Sequence, residues 1–184
     1  MFARTERLLL RPGWIEDAPA LTQAVAHEDI AMKLARLPWP YTIADAQWFL
    51  GLERMSRDVS FLIFLRTAAA PTLIGGIGIH PDEGGGPEIG YWIAPDQWGQ
   101  GYATEAGRAV MDIARHGLRL PRLVSGHFID NPASGRVLRK LGFMPTGQVV
   151  NRMSLARGHE VPCALYAADL EGGTAADPGR ALAA

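Results

Sequence analysis

The spacing of apolar residues in the first third of the chain predicts one strand followed by two helices. A short apolar run favours a strand over residues 7–11, and a helical repeat follows over residues 18–27, where Asp17 is placed to cap the helix N-terminus. Prolines at positions 38 and 40 end that helix, because proline cannot continue the hydrogen-bond ladder. A second helix, capped by Thr42, is expected over residues 43–57. The residues expected to face inwards are Leu21, Ala24, Val25, Ala46, Phe49, Leu50 and Met55.

Three β-rich runs in the middle of the chain predict an antiparallel meander. Residues 59–65 and 73–79 are separated by a short Ala-Ala-Ala-Pro connection that suits a hairpin, and residues 88–93 follow a glycine-rich turn. The next helical repeat covers residues 104–117 and begins directly after a glycine loop at residues 98–103. A strand, a tight loop and a helix are therefore contiguous.

The last third of the chain predicts a helix over residues 132–141, between the remaining strands. Asn131 can bond an orphan amide at the helix start, proline tolerates the first helical position, and Gly142 suits a C-terminal stop. Residues 172–184, rich in Ala, Gly and Asp, are expected to form a mobile tail after a single domain of residues 1–171. The expected strands are residues 123–129, 143–153 and 161–170.

The composition argues against several classes of function. The chain has 184 residues and a net charge of -1, so it lacks the basic excess that binding to nucleic acid or anionic lipid would require. Its apolar runs, such as residues 61–65, are far shorter than the ~20 residues of a membrane span, and neither a membrane partner nor export is expected. The single cysteine, Cys163, is expected to be a buried small apolar residue, and the lack of a possible internal disulfide favours the cytoplasm. No group of His, Cys and carboxylates has metal-ligand spacing, so no metal is expected.

The glycine loop has the features of a phosphate site. Small residues at alternate positions, Gly99, Gly101 and Ala103, allow backbone amides to point at one anion, and the following helix adds its positive N-terminal end. A nucleoside triphosphate loop is excluded because no lysine lies nearby. A dinucleotide fingerprint would have glycine in place of Thr104 and would follow the first strand of parallel βαβ units, whereas this loop follows a meander. A nicotinamide-dependent oxidoreductase stays as a rival interpretation.

Three ordered motifs resemble one enzyme superfamily. They are Glu-Ile-Gly-Tyr-Trp-Ile at residues 88–93, Trp-Gly-Gln-Gly-Tyr-Ala-Thr-Glu-Ala at residues 98–106, and Asn-Pro-Ala-Ser-Gly-Arg-Val-Leu-Arg-Lys-Leu-Gly-Phe at residues 131–143. Within a resemblance that covers residues 5–170, their order and spacing are similar to those of the GNAT acyltransferase superfamily and, more narrowly, of its ribosomal-protein N-acetyltransferase (RimJ/RimL-type) branch. The resemblance implies a GNAT-like α/β fold with a mixed, mainly antiparallel, strongly twisted sheet of about seven strands and helices on both faces.

The resemblance also implies that acetyl-CoA is the co-substrate and lies in a V-shaped opening between the central strand and the strand after the loop helix. Ile93 and Ala94 would offer backbone groups to the pantetheine arm, and the amides of residues 99–104 would hold the pyrophosphate. Asn131 and Ser134 occupy positions that in relatives approach the pantetheine and the sulfur. The residues expected to bind the cofactor are Ile93, Ala94, Trp98, Gly99, Gln100, Gly101, Tyr102, Ala103, Thr104, Asn131 and Ser134.

The sequence departs from the superfamily pattern at two positions. Trp98 stands where many members place Gln or Arg, so pyrophosphate binding is expected to depend on backbone amides. Leu138 stands where many relatives carry the tyrosine that protonates the leaving thiolate, and we expect the hydroxyl of Ser134, or a water that it holds, to replace it. The missing tyrosine also motivates a rival interpretation, a catalytically silent acyl-CoA-binding domain.

Aminolysis of a thioester requires a neutral amine. A protein α-amine, with a pKa of about 7.7–8.0, is roughly 10–20% neutral at pH 7, whereas a lysine side chain is almost wholly protonated, so a modest base suffices for an N-terminus. The resemblance places Glu88 beside the acetyl group, and we expect this carboxylate to act through a water; the alternative is an exposed carboxylate at a strand edge. Glu105, in the first turn of the loop helix, is expected to stabilise the helix rather than to catalyse.

The acceptor is expected to be an amine that binds beside the two-proline break. Relatives use this region to line the acceptor channel, so Trp39 and Tyr41 are expected to contact a peptide or small amine, whereas Trp48 is expected to pack in the core. The branch resemblance favours a protein N-terminal α-amine, and a small-molecule amine is the alternative. The enzyme is expected to be a monomer or a homodimer.

Overall fold

One eight-stranded sheet forms the centre of the computed structural model, which describes residues 1–53, 59–82 and 84–171. The strands are β1 (Ala3–Arg4), β2 (Leu8–Arg11), β3 (Val59–Leu65), β4 (Thr72–Pro81), β5 (Pro87–Ile93), β6 (Arg122–Phe128), β7 (Met144–Ser154) and β8 (His159–Asp169). They lie in the order β1-β2-β3-β4-β5-β6-β8-β7, and every neighbouring pair is antiparallel except β5 and β6. The expectation of about seven strands missed β1, because two residues are too few to show an alternating pattern. The expected tail, residues 172–184, and Met55 lie outside the described residues.

Helices cover both faces of the sheet, as the sequence predicted. They are α1 (Ala18–Val25), α2 (Glu28–Ala31), α3 (Ile43–Gly51), α4 (Tyr102–Asp112) and α5 (Pro132–Lys140). Helices α1 to α3 pack on one face, where Leu21 and Ala46 join a cluster with Trp92 of β5. Helices α4 and α5 pack on the other, where Val110 and Leu138 join the largest apolar cluster. We call these sides the α1–α3 face and the α4–α5 face. The sequence predicted one helix over residues 18–27. In the structure α1 ends at Val25, and the one-turn α2, which was not predicted, begins at Glu28.

The helix ends confirm two predicted caps and correct a third. The Thr42 hydroxyl accepts a hydrogen bond from the third residue of α3, and Gly142 follows α5 with a φ of 89°. Asp17 does not cap α1, because its two carboxylate oxygens each accept a 2.7 Å hydrogen bond from Arg11 and one also accepts from the Trp14 N–H. The Arg11 hydrogen bond is the main reason that the pKa of Asp17 lies below its ordinary value.

Three further local predictions were wrong. The Asn131 side chain makes no capping hydrogen bond, and α5 begins with Pro132 at its first position. Helix α3 ends at Gly51 rather than at residue 57, because Leu52 has extended backbone angles (φ -62°, ψ 126°). Trp48, expected in the core, is 68% exposed on the outer side of α3.

The parallel strands β5 and β6 part almost as soon as they meet. Glu88 and Val124 are their one aligned pair among the described residues, after which β5 stays paired with β4, and β6 with β8. Ser125 is buried at the junction, where its hydroxyl donates to the Ile89 carbonyl at 2.9 Å. An opening between residues 89–93 and 125–128 therefore connects the two faces of the sheet.

Candidate active site

The glycine loop before α4 presents a row of backbone N–H groups that are available to a ligand. Gly99 and Gly101 have φ angles of 77° and 84°, which favour glycine, and Gly101 is the N-cap of α4. The Glu105 N–H donates to the Gly101 carbonyl at 3.0 Å, whereas the N–H groups of residues 99–104 have no acceptor within the described part of the chain. Because the helix adds its positive end to these donors, the loop suits an anion.

Arg7 lies over this loop and is held there by Glu105. Its guanidinium donates to the Gln100 carbonyl at 3.1 Å and lies 4.5 Å from the ring centre of Tyr102. Glu105 accepts hydrogen bonds from the backbone N–H of Arg7 at 2.9 Å, from its guanidinium at 2.7 Å and from the Thr5 hydroxyl at 2.6 Å. Burial opposes the charge of Glu105, but these hydrogen bonds outweigh burial and lower its pKa. These contacts join the chain before β2 to α4, and they add to the favourable position at the helix start that the sequence predicted for Glu105.

A pocket of about 710 Å³ opens beside the loop. Three basic residues, Arg7, Arg108 and Lys140, line it together with Glu6 and Glu105. The sequence reasoning missed this basic group, because its members come from the chain before β2, from α4 and from α5, and meet only in the fold. One signal was available: Arg108 lies four residues after Thr104, which places it one helical turn beyond the loop.

Trp98 is 43% exposed and contacts the end of β5. Its indole N–H donates to the Ile93 carbonyl at 2.6 Å, and the Ala94 N–H donates to the Ile74 carbonyl of β4 at 2.8 Å. These two groups, expected to face a cofactor, already have protein partners. The carbonyls of Ile89 and Ile93 both point away from β4. Backbone groups of every second residue in a strand point to the same side, so the N–H and carbonyl of Tyr91 also point away from β4 and into the opening.

Glu88 lies at the apex of the opening, on the α1–α3 face. It is 6% exposed, so the alternative of an exposed carboxylate at a strand edge is wrong. Its carboxylate accepts a 2.5 Å hydrogen bond from the guanidinium of Arg152 on β7, and the two form an ion pair. The sequence reasoning missed Arg152, which lies 64 residues away along the chain.

Ser134 approaches the opening from the opposite, α4–α5 face. The Tyr91 hydroxyl lies 2.8 Å from the Ser134 Oγ and donates to the Ser134 carbonyl at 3.1 Å. Burial raises the pKa of Tyr91 to about 12, against a smaller opposite effect of the Ser134 contact. Leu138, at the position of the missing tyrosine, is fully buried in the core. Glu88 and Ser134 are thus on opposite sides of the sheet at one opening.

Three further residues that the sequence assigned to the site are Trp39, Tyr41 and Asn131. Trp39 lies between the two prolines and is 38% exposed, whereas Tyr41 is 9% exposed and packs in the cluster under α1 and α3. Burial, and next the charge of Asp45, raise the pKa of Tyr41 to about 12. Asn131 is half-buried at the start of α5, where its carbonyl accepts from the Ser134 N–H at 3.2 Å.

The structure also bears on the predicted burial of Cys163, on membrane-spanning helices and on metal ligands. Cys163 is 3% exposed and packs with Phe128 and Val161, which confirms the expected buried position. Within residues 1–53, 59–82 and 84–171, no helix is long and apolar enough to cross a membrane. In the same ranges, no three side chains of His, Cys, Asp or Glu converge as metal ligands would.

The sequence matches a known family model. The model of the acetyltransferase (GNAT) domain covers residues 7–144. The chain therefore belongs to the GNAT family and is an acetyltransferase. Its fold, with one open mixed sheet and helices on both faces, is the fold expected from the three motifs.

Individual relatives agree with this assignment. YoaA of Bacillus subtilis (strain 168), an uncharacterized N-acetyltransferase, is 32% identical over 149 residues, which are 78% of this chain and 82% of YoaA. A GNAT-family acetyltransferase from Bacillus anthracis superposes with a TM-score of 0.77 and 25% identity over 93% of this chain and 99% of that chain. RimL, a ribosomal alpha-N-protein acetyltransferase solved with coenzyme A, superposes with a TM-score of 0.74 and 23% identity over 92% of this chain and 98% of its own. At that identity, the likeness to RimL shows the fold alone.

Proposed function

We propose that this acetyltransferase transfers the acetyl group of acetyl-CoA to the N-terminal α-amine of a protein or peptide. The observation that carries the proposal is the row of N–H groups at residues 99–104, without acceptors among the described residues, at the positive end of α4. Such a row binds a diphosphate well, because each N–H can donate to a phosphate oxygen without first losing a protein partner. This site lies at the wide end of the opening between β5 and β6.

The residues around the loop fit coenzyme A. Arg7, Arg108 and Lys140 supply positive charge beside the diphosphate position, a contribution that Trp98 cannot make. The backbone groups of Tyr91 take the role expected of Ile93 and Ala94, since they point into the opening beside the pantetheine arm. When bound, acetyl-CoA supplies an acyl thioester as the activated donor. The two ends of this site lie about 16 Å apart along β5, from Ile93 to Glu88.

Glu88 and Ser134 divide the proton transfers between the two faces. Glu88, on the α1–α3 face, takes the proton of the attacking amine through a water. Its ion pair with Arg152 fixes the direction of the carboxylate, which suits relay through a water. Ser134, on the α4–α5 face, donates to the leaving sulfur.

An α-amine fits this chemistry better than a lysine side chain. The α-amine is partly neutral at pH 7 and needs only a modest base such as a carboxylate, whereas a lysine side chain is almost wholly protonated. Trp39, exposed beside the α1–α3 face, is the residue that we assign to acceptor contact, with Tyr41 behind it in the core. The solved structure of RimL, a ribosomal alpha-N-protein acetyltransferase, adds a precedent for this acceptor class on the same fold.

Acceptor profiling by mass spectrometry tests the proposal. The protein is incubated with acetyl-CoA and, separately, with a peptide library of varied first residues and with a panel of small amines. We expect acetylation of peptide α-amines in preference to lysine side chains and to the small amines. Turnover confined to small amines would overturn the acceptor class, and binding of coenzyme A without turnover on any amine would indicate a silent binding domain.

A further inference from the structure

We infer that Tyr91 is a positioning residue, which holds the hydroxyl of Ser134 as a hydrogen-bond donor to the leaving sulfur. This inference rests on the proposed acetyl transfer. It begins from the contact that bridges the α4–α5 face of the opening, where the phenol of a β5 residue meets the first turn of α5. Tyr91 and Ser134 are 43 residues apart in the sequence, so the fold alone brings them together.

The Tyr91 hydroxyl has one proton and, among the described residues, two acceptors within reach, both on Ser134. They are the carbonyl oxygen at 3.1 Å and Oγ at 2.8 Å. When the phenol donates to Oγ, the Ser134 O–H can donate to a different acceptor, because a hydroxyl can accept one hydrogen bond and still donate its own. Serine in a helix commonly bonds to the carbonyl four residues earlier, but Ser134 makes no such bond within the described part of the chain. Tyr91 therefore restrains the direction of this hydroxyl.

A phenol that stays protonated always has a proton to donate to one of the two Ser134 oxygens. Burial raises the pKa of Tyr91 to about 12, so the phenol keeps its proton throughout the neutral range and acts as a constant donor. Its ring lies on the α4–α5 face, where it packs against the main apolar cluster. A ring held in this way is a stiff support for the serine.

Tyr91 neither gains nor loses a proton in the reaction. The amine nitrogen forms a bond to the acetyl carbon, the carbon–sulfur bond breaks, and its electron pair leaves on sulfur. The amine gives up one proton, through water and Glu88, and the sulfur gains one from Ser134, whose oxygen is reprotonated from solvent. Tyr91 keeps its own proton and stabilises the serine oxygen while that proton is in transit. The buried Leu138 carries no hydroxyl and cannot donate this proton.

Removal of the phenol hydroxyl tests this role in the full chain. Tyr91→Phe keeps the packed ring, and we expect kcat to fall roughly tenfold, the loss of about one hydrogen bond in the transition state, with KM for acetyl-CoA changed less than about twofold. Tyr166→Phe is the matched control, because Tyr166 is also buried under α5 and its hydroxyl contacts Arg139 instead. We expect its kcat to stay within about twofold of the wild-type value.

A double-mutant cycle separates positioning from simple packing. In a Ser134→Ala background, Tyr91→Phe should change kcat less than about twofold, because the hydroxyl that it orients is absent. In a Ser134→Thr background, which restores a hydroxyl, the roughly tenfold effect should return. Equal losses in the wild-type and Ser134→Ala backgrounds, or a Tyr91→Phe enzyme with wild-type kcat, would overturn the inference while acetyl transfer stands. A wild-type protein that acetylates no amine would remove the proposed function and this inference together.

Discussion

Glu88 and Arg152 form an ion pair across the narrow end of the opening, with 2.5 Å between Oε1 of the carboxylate and the guanidinium nitrogen. The side chains are 8% and 17% exposed, so both charges are largely withdrawn from water. A pair of this kind is strongly directional, because a charged donor and a charged acceptor form a short hydrogen bond. The ion pair therefore orients the carboxylate that we assign to proton transfer.

Substitution of that carboxylate tests its role. We expect Glu88→Gln to lower kcat about 100-fold or more, because the amide cannot take a proton, while the affinity for coenzyme A changes little. Steady-state kinetics and calorimetry measure the two effects. Glu160→Gln, at an exposed position on β8, is the control that should resemble wild type. Wild-type turnover in Glu88→Gln would remove this residue from the mechanism.

The left-handed backbone of the loop gives a second prediction. Gly101→Ala places a side chain at a φ of 84°, which costs about 1–2 kcal/mol unless the loop relaxes. Coenzyme A is expected to bind the left-handed conformation of the loop, so the cost of adopting it lowers the affinity for coenzyme A by about 5- to 30-fold. Gly147→Ala is the matched control, since Gly147 has a φ of 80° on β7, away from the loop. Its affinity should equal that of wild type, and an equal loss in both variants would contradict the anion site.

Basic residues around the pocket predict a dependence on salt. We expect Arg108→Ala to weaken coenzyme A binding about two- to fivefold at low ionic strength and less at high ionic strength, since exposed charges are screened. Arg136→Ala, exposed on α5 and not among the residues that line the pocket, should bind as wild type does. Identical affinities of the two variants at low salt would exclude Arg108 from the site.

The lowered pKa of Glu105 predicts how stability responds to acid. A carboxyl group whose pKa is lower in the folded state stabilises the fold fully above its ordinary pKa, and this contribution is lost as the pH falls through the folded value. We expect Glu105→Gln to lower the free energy of unfolding by about 1–2 kcal/mol at pH 7. The difference from wild type should shrink below about pH 4.3. Urea unfolding at several pH values measures it, and a difference that grows in acid would contradict the hydrogen bonds to Thr5 and Arg7.

Features that depend on near neighbours could be predicted from the sequence. The Thr42 cap, the Gly142 stop and the strand-loop-helix arrangement around Gly101 each involve contacts within a few residues, and all three are confirmed. Asp17 shows where local reasoning fails, because Arg11 competes for its carboxylate across a turn that no propensity describes.

Contacts between distant segments could not be predicted from the sequence. Arg152 on β7 and Glu88 on β5 are 64 residues apart in the sequence, and only the fold brings them into contact. Tyr91 meets Ser134 only because β5 and β6 diverge after one aligned pair. Arg7, Arg108 and Lys140 meet for similar reasons at the loop. The motifs therefore predicted a candidate site, and the fold adds charged residues to it that no motif contains.

The backbone amides of the loop can be observed directly in solution. In a ¹H–¹⁵N correlation spectrum of the labelled wild-type protein, saturating coenzyme A should shift the resonances of residues 99–104 most strongly, because their N–H groups gain phosphate acceptors. The Gly147 amide, on β7, serves as an internal reference that should stay unchanged. Unchanged resonances at residues 99–104, with or without shifts elsewhere, would contradict the proposed diphosphate site.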